Sequence, residues 1–255
     1  MIRKNNFTYN ITLIALIAAL YVVISILPGI PVAPGVEIQF EAGFAVVIGV
    51  LLGPYIGFLT ALLGSVVSWL ILGSGIFGLP FLFNPAVNAL FIGVIVYKKH
   101  RTALIAVTLT YIILIILQII SPPLWPPTSY PIETVAVLYD KIIGLLLFYP
   151  ALHVFNKIKP LNSTNPVKYG FLVIFLIALV GNILDNLLGT VVFSYPLVYN
   201  GIFGMSVETV RFYFLIYPYL YILIRAAQSI FAALIITALV KTDVLRLQIS
   251  EKSYQ

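Results

Sequence analysis

Short basic segments alternate along this chain with segments that contain no lysine or arginine, and apolar runs separate the two kinds. The basic segments hold 11 of the 14 Lys and Arg: Arg3 and Lys4; Lys98, Lys99 and Arg101; Lys157, Lys159 and Lys168; Lys241, Arg246 and Lys252. The connections without Lys or Arg are residues 28–40, 73–84, 121–132 and 192–207. Because Lys and Arg are concentrated in the cytoplasmic loops of membrane proteins, we predict cytoplasmic basic segments and cytoplasmic N- and C-termini.

The apolar runs are long enough to cross a bilayer. Apolar residues make up 62% of the chain and charged residues 9%, whereas about a quarter of the residues of a soluble domain are charged. A spanning helix needs about 20 apolar residues. We predict an all-α, multi-pass cell-membrane protein in which residues 1–255 form a single transmembrane domain. The eight predicted spans are 8–27, 41–53, 54–72, 85–97, 102–120, 133–155, 168–190 and 214–240.

Composition also argues against several classes of function. The net charge of +6 is divided among short segments, which favours contact with the lipid bilayer over nucleic acid. The chain has no cysteine and only two histidines, His100 and His153, so we expect no disulfide and no metal site. We likewise expect no cofactor and no catalytic residue.

Several motifs follow one another in the first hundred residues. In order, they are an alanine-rich first span with Ala15 and Ala19, Phe40-Glu41 opening the second span, the break Gly53-Pro54, a small-residue third span, and Asn84-Pro85 opening a short fourth span. This order resembles the substrate-binding S component of energy-coupling factor (ECF) vitamin and micronutrient transporters. The last span, with its paired alanines, is similar to the closing helix of that family.

The resemblance implies partners and a mode of action. In that family an Ala-xxx-Ala face of the first helix docks on a transmembrane coupling subunit, and Ala15 and Ala19 match that position. Cytoplasmic ATPase subunits and a small, water-soluble, vitamin-like substrate are the other implied partners. Family members usually have six helices. Eight spans therefore imply a six-helix core plus an added hairpin, most simply within residues 102–155. The Pro-rich turn of this hairpin, residues 122–131, is either a lid over the site or a cap on two helices.

Polar residues inside the predicted spans indicate where a substrate would bind. A charge at mid-bilayer costs about 2.5 to 3.5 kcal/mol on insertion scales, so such residues usually face a protein interior or a wet cavity. Helical spacing places Asn182, Asp185 and Asn186 on one face of the seventh span. It places Arg225 and Gln228 on one face of the last span. We predict an outward-facing pocket lined by these five residues together with Asn84, Asn88, Asp140 and Glu41.

Two details of this pocket stay open in the sequence. Asp185 and Arg225 could bind the ligand, form a structural ion pair, or do both. Asp140 and Lys141 are adjacent and so point about 100° apart on a helix, which predicts that both cannot face one pocket. Lys141 is then expected to pair with a neighbouring helix.

The sequence favours a substrate-capture subunit over two other functions. No phosphate-binding Gly-x-x-x-x-Gly-Lys-Ser/Thr motif occurs, which suits a subunit that relies on separate ATPases. The alternative is a proton-coupled secondary transporter with Asp185 or Asp140 as the titrating group, but such folds often contain repeats and none is evident here. An intramembrane enzyme would need a paired set such as His with a carboxylate, and neither histidine has a nearby acid in the sequence.

Overall fold

A computed structural model describes residues 7–33, 36–38, 40–73, 75–158 and 170–241, and these residues form a helical bundle. Six of the basic residues that orient the chain lie outside the described residues: Arg3, Lys4, Lys159, Lys168, Arg246 and Lys252.

Eleven α-helices lie within the described residues. They are α1 Phe7–Ser25, α2 Glu41–Leu52, α3 Pro54–Leu72, α4 Gly75–Gly78, α5 Asn84–Tyr97, α6 His100–Ile119, α7 Pro131–Ile158, α8 Gly170–Phe193, α9 Pro196–Tyr199, α10 Val207–Ile216 and α11 Pro218–Lys241. Each of the eight predicted spans overlaps one of the longer helices, namely α1, α2, α3, α5, α6, α7, α8 and α11, and the last span, 214–240, also includes the end of α10.

Within the part of the chain that the structure describes, six helical segments are long and apolar enough to cross a membrane, while α1 and α2 are shorter apolar helices. The predicted polytopic membrane bundle is therefore confirmed. The number of crossings, the single-domain organisation and the cytoplasmic position of the termini stay predictions. We call the end at which α2, α5, α7 and α11 begin the outer end, after the predicted orientation.

The connection between α1 and α2, predicted to be a loop, contains two short strands. Strand β1, Ile30–Ala33, pairs antiparallel with β2, Val36–Ile38. The two strands together contain only seven residues. This is too few for an alternating apolar pattern to predict a strand, although Val and Ile favour strands.

A tight backbone break separates α2 from α3, as predicted. Gly53 has φ 78°, a conformation that favours glycine, and Pro54 occupies the first turn of α3, where its missing N–H costs nothing. Helix α5 passes directly over this break. A Cβ on Gly93 would lie 2.4 Å from Pro54 N and 2.5 Å from Gly53 C, so the α5 backbone touches the break.

Helices α2 and α8 form the centre of the bundle. Every residue of α2 after Glu41 is buried, and α8 is the most buried of the six long helices. Helix α8 packs against α11, α7 and α5, and α2 packs against α5, α11 and α3. Twelve residues make a helix about 18 Å long, shorter than a hydrocarbon layer of about 30 Å. Because every residue after Glu41 is buried, protein surrounds almost the whole of this short helix.

Candidate substrate-binding site

Polar residues of α8 and α11 lie at a similar depth below the outer end. Asp185 precedes the last residue of α8 by eight positions, and Arg225 follows the first residue of α11 by seven. At 1.5 Å per residue these offsets are about 12 Å and about 10 Å. Asn182, Asp185, Asn186, Arg225 and Gln228 are all buried. The predicted polar faces therefore point into the bundle.

Asp185 and Arg225 form an ion pair. The Arg225 Nη1 to Asp185 Oδ2 distance is 2.9 Å, and both side chains are almost fully buried. The same Nη1 donates a hydrogen bond to Gln228 Oε1 at 2.9 Å. This contact joins the two helices, and it leaves open whether the pair also binds a ligand.

A chain of amide and hydroxyl groups ties the neighbouring helices together. Asn88 Nδ2 donates to Asn182 Oδ1 at 2.9 Å and to the Ala42 carbonyl at 3.2 Å. Asn182 Nδ2 donates to Ser229 Oγ at 2.9 Å, and Ser229 Oγ donates to the Arg225 carbonyl at 2.6 Å. These bonds connect α2, α5, α8 and α11. They bring together four of the five helices to which the sequence assigned pocket residues.

Glycines let these helices approach closely at the polar cluster. A Cβ on Gly181 would lie 2.8 Å from Asn88 Oδ1, and one on Gly189 would lie 2.8 Å from Asn84 Nδ2. A Cβ on Gly43 would lie 2.7 Å from the Gln228 carbonyl oxygen. Gly43 is not among the predicted site residues, and its position two residues after Glu41 is the only feature of the sequence that points to it.

Several buried polar atoms of the cluster have no hydrogen-bond partner among the described residues. They are the Oδ1 atoms of Asn84, Asn88, Asp185 and Asn186, and Arg225 Nε. Leaving a buried polar atom without a hydrogen bond costs about 1–3 kcal/mol. A polar ligand bound here would recover part of that free energy. The cluster thus has the chemistry of a binding site as well as that of a packing contact.

Asp140 and Lys141 pair with each other, which corrects the expectation that Lys141 pairs with a neighbouring helix. Lys141 Nζ lies 2.8 Å from Asp140 Oδ1, and both side chains are fully buried. Although adjacent side chains leave a helix in different directions, the long lysine stem bends back far enough to meet its neighbour. Lys141 Nζ also lies 5.5 Å from the centre of the Tyr221 ring. Tyr221 is one turn before Arg225, so this second pair adjoins the first.

Glu41 lies at the edge of the cluster. It is the first residue of α2 and is half-buried. Its carboxylate is within electrostatic range of Asp185 and Arg225. The structure therefore brings Glu41 near the polar faces of α8 and α11, as the predicted pocket requires.

The inner half of the same helices is apolar where they enclose a small cavity. Its lining consists of Val46, Val50, Val96, Phe155, Ile174, Ile177 and Ile236. These residues come from the same α2, α5, α8 and α11 that carry the polar cluster, together with α7. The polar cluster therefore has an apolar floor on these helices.

A separate apolar cluster covers α7 at the outer end. It consists of Leu124, Val137, Leu138, Tyr199, Met205, Val210 and Phe214. Arg211 of α10 fastens the Pro-rich turn to this cluster, because its Nε donates to the Pro123 carbonyl at 2.8 Å and its guanidinium lies 3.6 Å from the Tyr130 ring centre. Arg211 Nη1 also lies 4.0 Å from Glu208 Oε1, one helical turn earlier on α10. No sequence pattern indicates the contacts of Arg211 with the turn, and these contacts suit a cap on two helices.

The alanines assigned to docking lie on the outside of the bundle. Ala15 and Ala19 of α1 are exposed, whereas Ala18, between them in the sequence, is buried. Leu16 and Leu20 are exposed as well. Helix α1 therefore presents an apolar surface with a shallow alanine strip, which a partner helix could approach closely.

A family model matches more than half of the chain. The family described as ECF-type riboflavin transporter, S component, matches residues 5–142, which is more than half of the 255 residues. The matched stretch includes Ala15, Ala19, Glu41 and Asn88, whereas α8 and α11 lie beyond it. No curated protein and no solved structure matches the chain.

Proposed function

The chain belongs to the ECF-type riboflavin transporter S component family, and on that premise we propose that it captures riboflavin at the outer end of the bundle for import by an ATP-driven coupling module. Membership confirms the resemblance drawn from the sequence and identifies a multi-pass substrate-binding subunit of a transporter. The family is one of transporter components, not of enzymes. Riboflavin as the substrate, the outward orientation and the ATP coupling belong to the proposal.

One observation carries the assignment of the site. Buried polar side chains from α5, α8 and α11 converge, and several of their atoms have no hydrogen-bond partner in the part of the chain that the structure describes. Riboflavin has ring carbonyl and N–H groups and a polyhydroxyl side chain, so it can both donate and accept hydrogen bonds in such a cluster. We therefore propose that Asn182, Asp185, Asn186, Arg225 and Gln228 contact the vitamin. Asn84, Asn88, Asp140 and Glu41 complete the proposed set.

The direct test is to identify the small molecule that the purified protein retains. We expect gently purified protein to retain riboflavin, which mass spectrometry of the released small molecules would identify. Added riboflavin should also lose fluorescence on binding to protein from which the vitamin has been removed. Retention of a different metabolite, with no riboflavin binding, would contradict the proposed substrate.

A matched pair of substitutions tests the position of the site. Asn186→Ala removes a buried amide whose Oδ1 has no partner near the outer end, and we expect it to weaken riboflavin binding about tenfold or more, as one lost hydrogen bond implies. Thr237→Val removes a buried Oγ1 without a partner near the other end of α11 and should leave affinity unchanged. Full affinity in the Asn186, Asp185 and Arg225 alanine variants would show that the pocket is misplaced.

Docking of α1 on the coupling subunit needs its own experiment. Replacing Ala15 and Ala19 with tryptophan fills the shallow strip, so we expect loss of copurification with the coupling subunit and unchanged riboflavin binding. Ile113→Trp on α6, at a position 55% exposed, is the control for a bulky substitution on another outer face. If the alanine-strip variant copurifies with the coupling subunit as well as the control does, α1 is not the docking helix.

Energy coupling distinguishes the proposed function from the proton-coupled alternative. A proton path would have to continue through the inner half, where the cavity on α2, α5, α8 and α11 has an apolar lining. We expect the chain alone in liposomes to bind riboflavin without accumulating it under a proton gradient. Accumulation without ATP would favour the secondary transporter.

A further inference from the structure

We propose that the inner end of α6 and α7 binds the headgroup of an anionic phospholipid, whose acyl chains lie along the exposed apolar faces of the same two helices. This surface is separate from the proposed riboflavin site, so it is independent of the proposed function. Three features carry it. They are exposed cations without an acidic partner, a contact that joins the ends of the two helices, and apolar strips that begin at those cations.

The first feature is a group of exposed cations at the inner end, where α6 begins and α7 and α11 end. They are Lys98, Lys99, Arg101, Lys157 and Lys241. None of these five forms an ion pair within the part of the chain that the structure describes. Basic residues beside a transmembrane helix attract anionic headgroups. This end of the bundle therefore offers cations that no described carboxylate neutralises.

Acidic residues are concentrated at the other end of the described bundle. Those within the described ranges are Glu37, Glu41, Glu133, Asp140, Asp185 and Glu208. All six belong to the outer connections or to the outer half of a helix. Two further acids, Asp243 and Glu251, lie outside the described residues. The charge of the inner end thus complements an anionic surface and not a cationic one.

The second feature is a hydrogen bond that joins the first residue of α6 to the last turn of α7. Asn156 Nδ2 donates to His100 Nδ1 at 3.0 Å. Lys99 and Arg101 flank His100 in the sequence, and Lys157 follows Asn156. The contact therefore brings three exposed cations of two helices to one corner of the bundle. Several Lys and Arg side chains at one place can share the oxygens of a phosphate through charge-assisted hydrogen bonds.

Lys98, although adjacent in the sequence, belongs to a different contact. Its Nζ lies 5.2 Å from the centre of the Tyr55 ring on α3. The corner is accordingly defined by Lys99, Arg101 and Lys157.

The third feature is an exposed apolar strip that runs from these cations along each helix. On α6 the strip lies four, eight and eleven residues after Arg101 and consists of Ile105, Leu109 and Ile112. On α7 it lies eight, eleven and fifteen residues before Lys157 and consists of Tyr149, Leu146 and Ile142. Eleven residues of helix rise about 17 Å, and one leaflet of the hydrocarbon layer is about 15 Å thick.

The strips decide which source of phosphate fits. A soluble phosphate would contact the cations alone, whereas a phospholipid also covers the apolar side chains that begin one turn away. The lengths of the strip and of one leaflet agree, so the headgroup would lie at the cations while the acyl chains follow the helix. The surface therefore suits a phospholipid, and its charge suits an anionic one.

The experiment is native mass spectrometry of the full chain in detergent, titrated with phosphatidylglycerol or with phosphatidylcholine of the same acyl chains. We expect phosphatidylglycerol to bind about 100-fold more tightly, because each of three cations contributes about fivefold near an anionic headgroup. Glycerol 3-phosphate, a soluble phosphate ester without acyl chains, should not displace the lipid at equal concentration. Equal binding of the two lipids would overturn the proposal, and so would displacement by glycerol 3-phosphate.

A matched pair of substitutions locates the lipid. Lys157→Gln and Lys241→Gln each remove one exposed cation from the last turn of a long helix. We expect Lys157→Gln to lower the preference for phosphatidylglycerol about fivefold, and Arg101→Gln with Lys157→Gln to lower it about 25-fold. Lys241→Gln should leave the preference unchanged. Equal effects of Lys157→Gln and Lys241→Gln would assign the preference to net charge and refute a site on α6 and α7.

Discussion

Replacing Asp185 with asparagine and Arg225 with glutamine, singly and together, tests whether the buried ion pair behaves as one unit. The pair closes at 2.9 Å with side chains 4% and 7% exposed. Removing one partner of such a pair costs about 3–5 kcal/mol, because the remaining charge is buried without compensation. The double variant leaves neither charge, so we expect it to cost about as much as one single variant. This corresponds to a coupling free energy of about 3 kcal/mol or more.

The assay is equilibrium unfolding in mixed detergent micelles, followed by the fluorescence of Trp69 and Trp125. Single-variant costs that add to the double-variant cost within about 0.5 kcal/mol would refute the reasoning. Glu208→Gln with Arg211→Gln is the matched surface pair. Because its charges are 4.0 Å apart and Glu208 is exposed, we expect no resolved coupling there.

Riboflavin binding by the same double variant separates the two roles that the sequence left open. If Asp185 and Arg225 only satisfy each other, the double variant should bind riboflavin as tightly as the unaltered protein does. If they contact the vitamin, as we propose, it should fold and yet lose affinity. Folding without loss of affinity would withdraw both residues from the proposed site.

Three further predictions concern packing. Gly93→Ala should lower the thermal midpoint of the protein in detergent by an amount corresponding to about 1–3 kcal/mol or more, since the added Cβ meets the Gly53-Pro54 backbone; an unchanged midpoint would contradict that close approach. Arg211→Ala should speed proteolysis of the Pro-rich turn, and Arg211→Lys should not restore protection, because lysine cannot reproduce the flat contact with Tyr130. Tyr111→Phe should cost about 1 kcal/mol of unfolding free energy, because the Tyr111 hydroxyl donates to the Val180 carbonyl at 2.6 Å; no loss would show that this bond contributes nothing net.

Local patterns indicated where most of the long helices lie, but not the short helices α4 and α9. Helix α3 runs Pro54–Leu72 as predicted, because Gly53-Pro54 ends one apolar run and starts the next. Helix periodicity likewise placed Asn182, Asp185 and Asn186 on one face, and the structure buries all three. The strands β1 and β2 were missed, since so short a segment has no period to read.

Contacts between distant residues were beyond the sequence. Asn88 and Asn182, 94 positions apart, share a hydrogen bond, and Arg211 reaches Pro123 across 88 positions. Each depends on how the helices are arranged about one another, which periodicity does not specify. The pairing of Lys141 with Asp140 depends on a side-chain rotamer chosen by the packing around it.

By itself the sequence determined that this chain is a multi-pass helical membrane protein of the S-component type, with its intramembrane charges concentrated towards one end. Both results follow from properties read one segment at a time, namely apolar length, helical period and charge. Only the tertiary structure decided that Asp185 meets Arg225, that Lys141 meets Asp140, and which acceptor atoms are left without a protein partner. Those outcomes depend on distances of a few ångströms between helices, and such distances are fixed by packing.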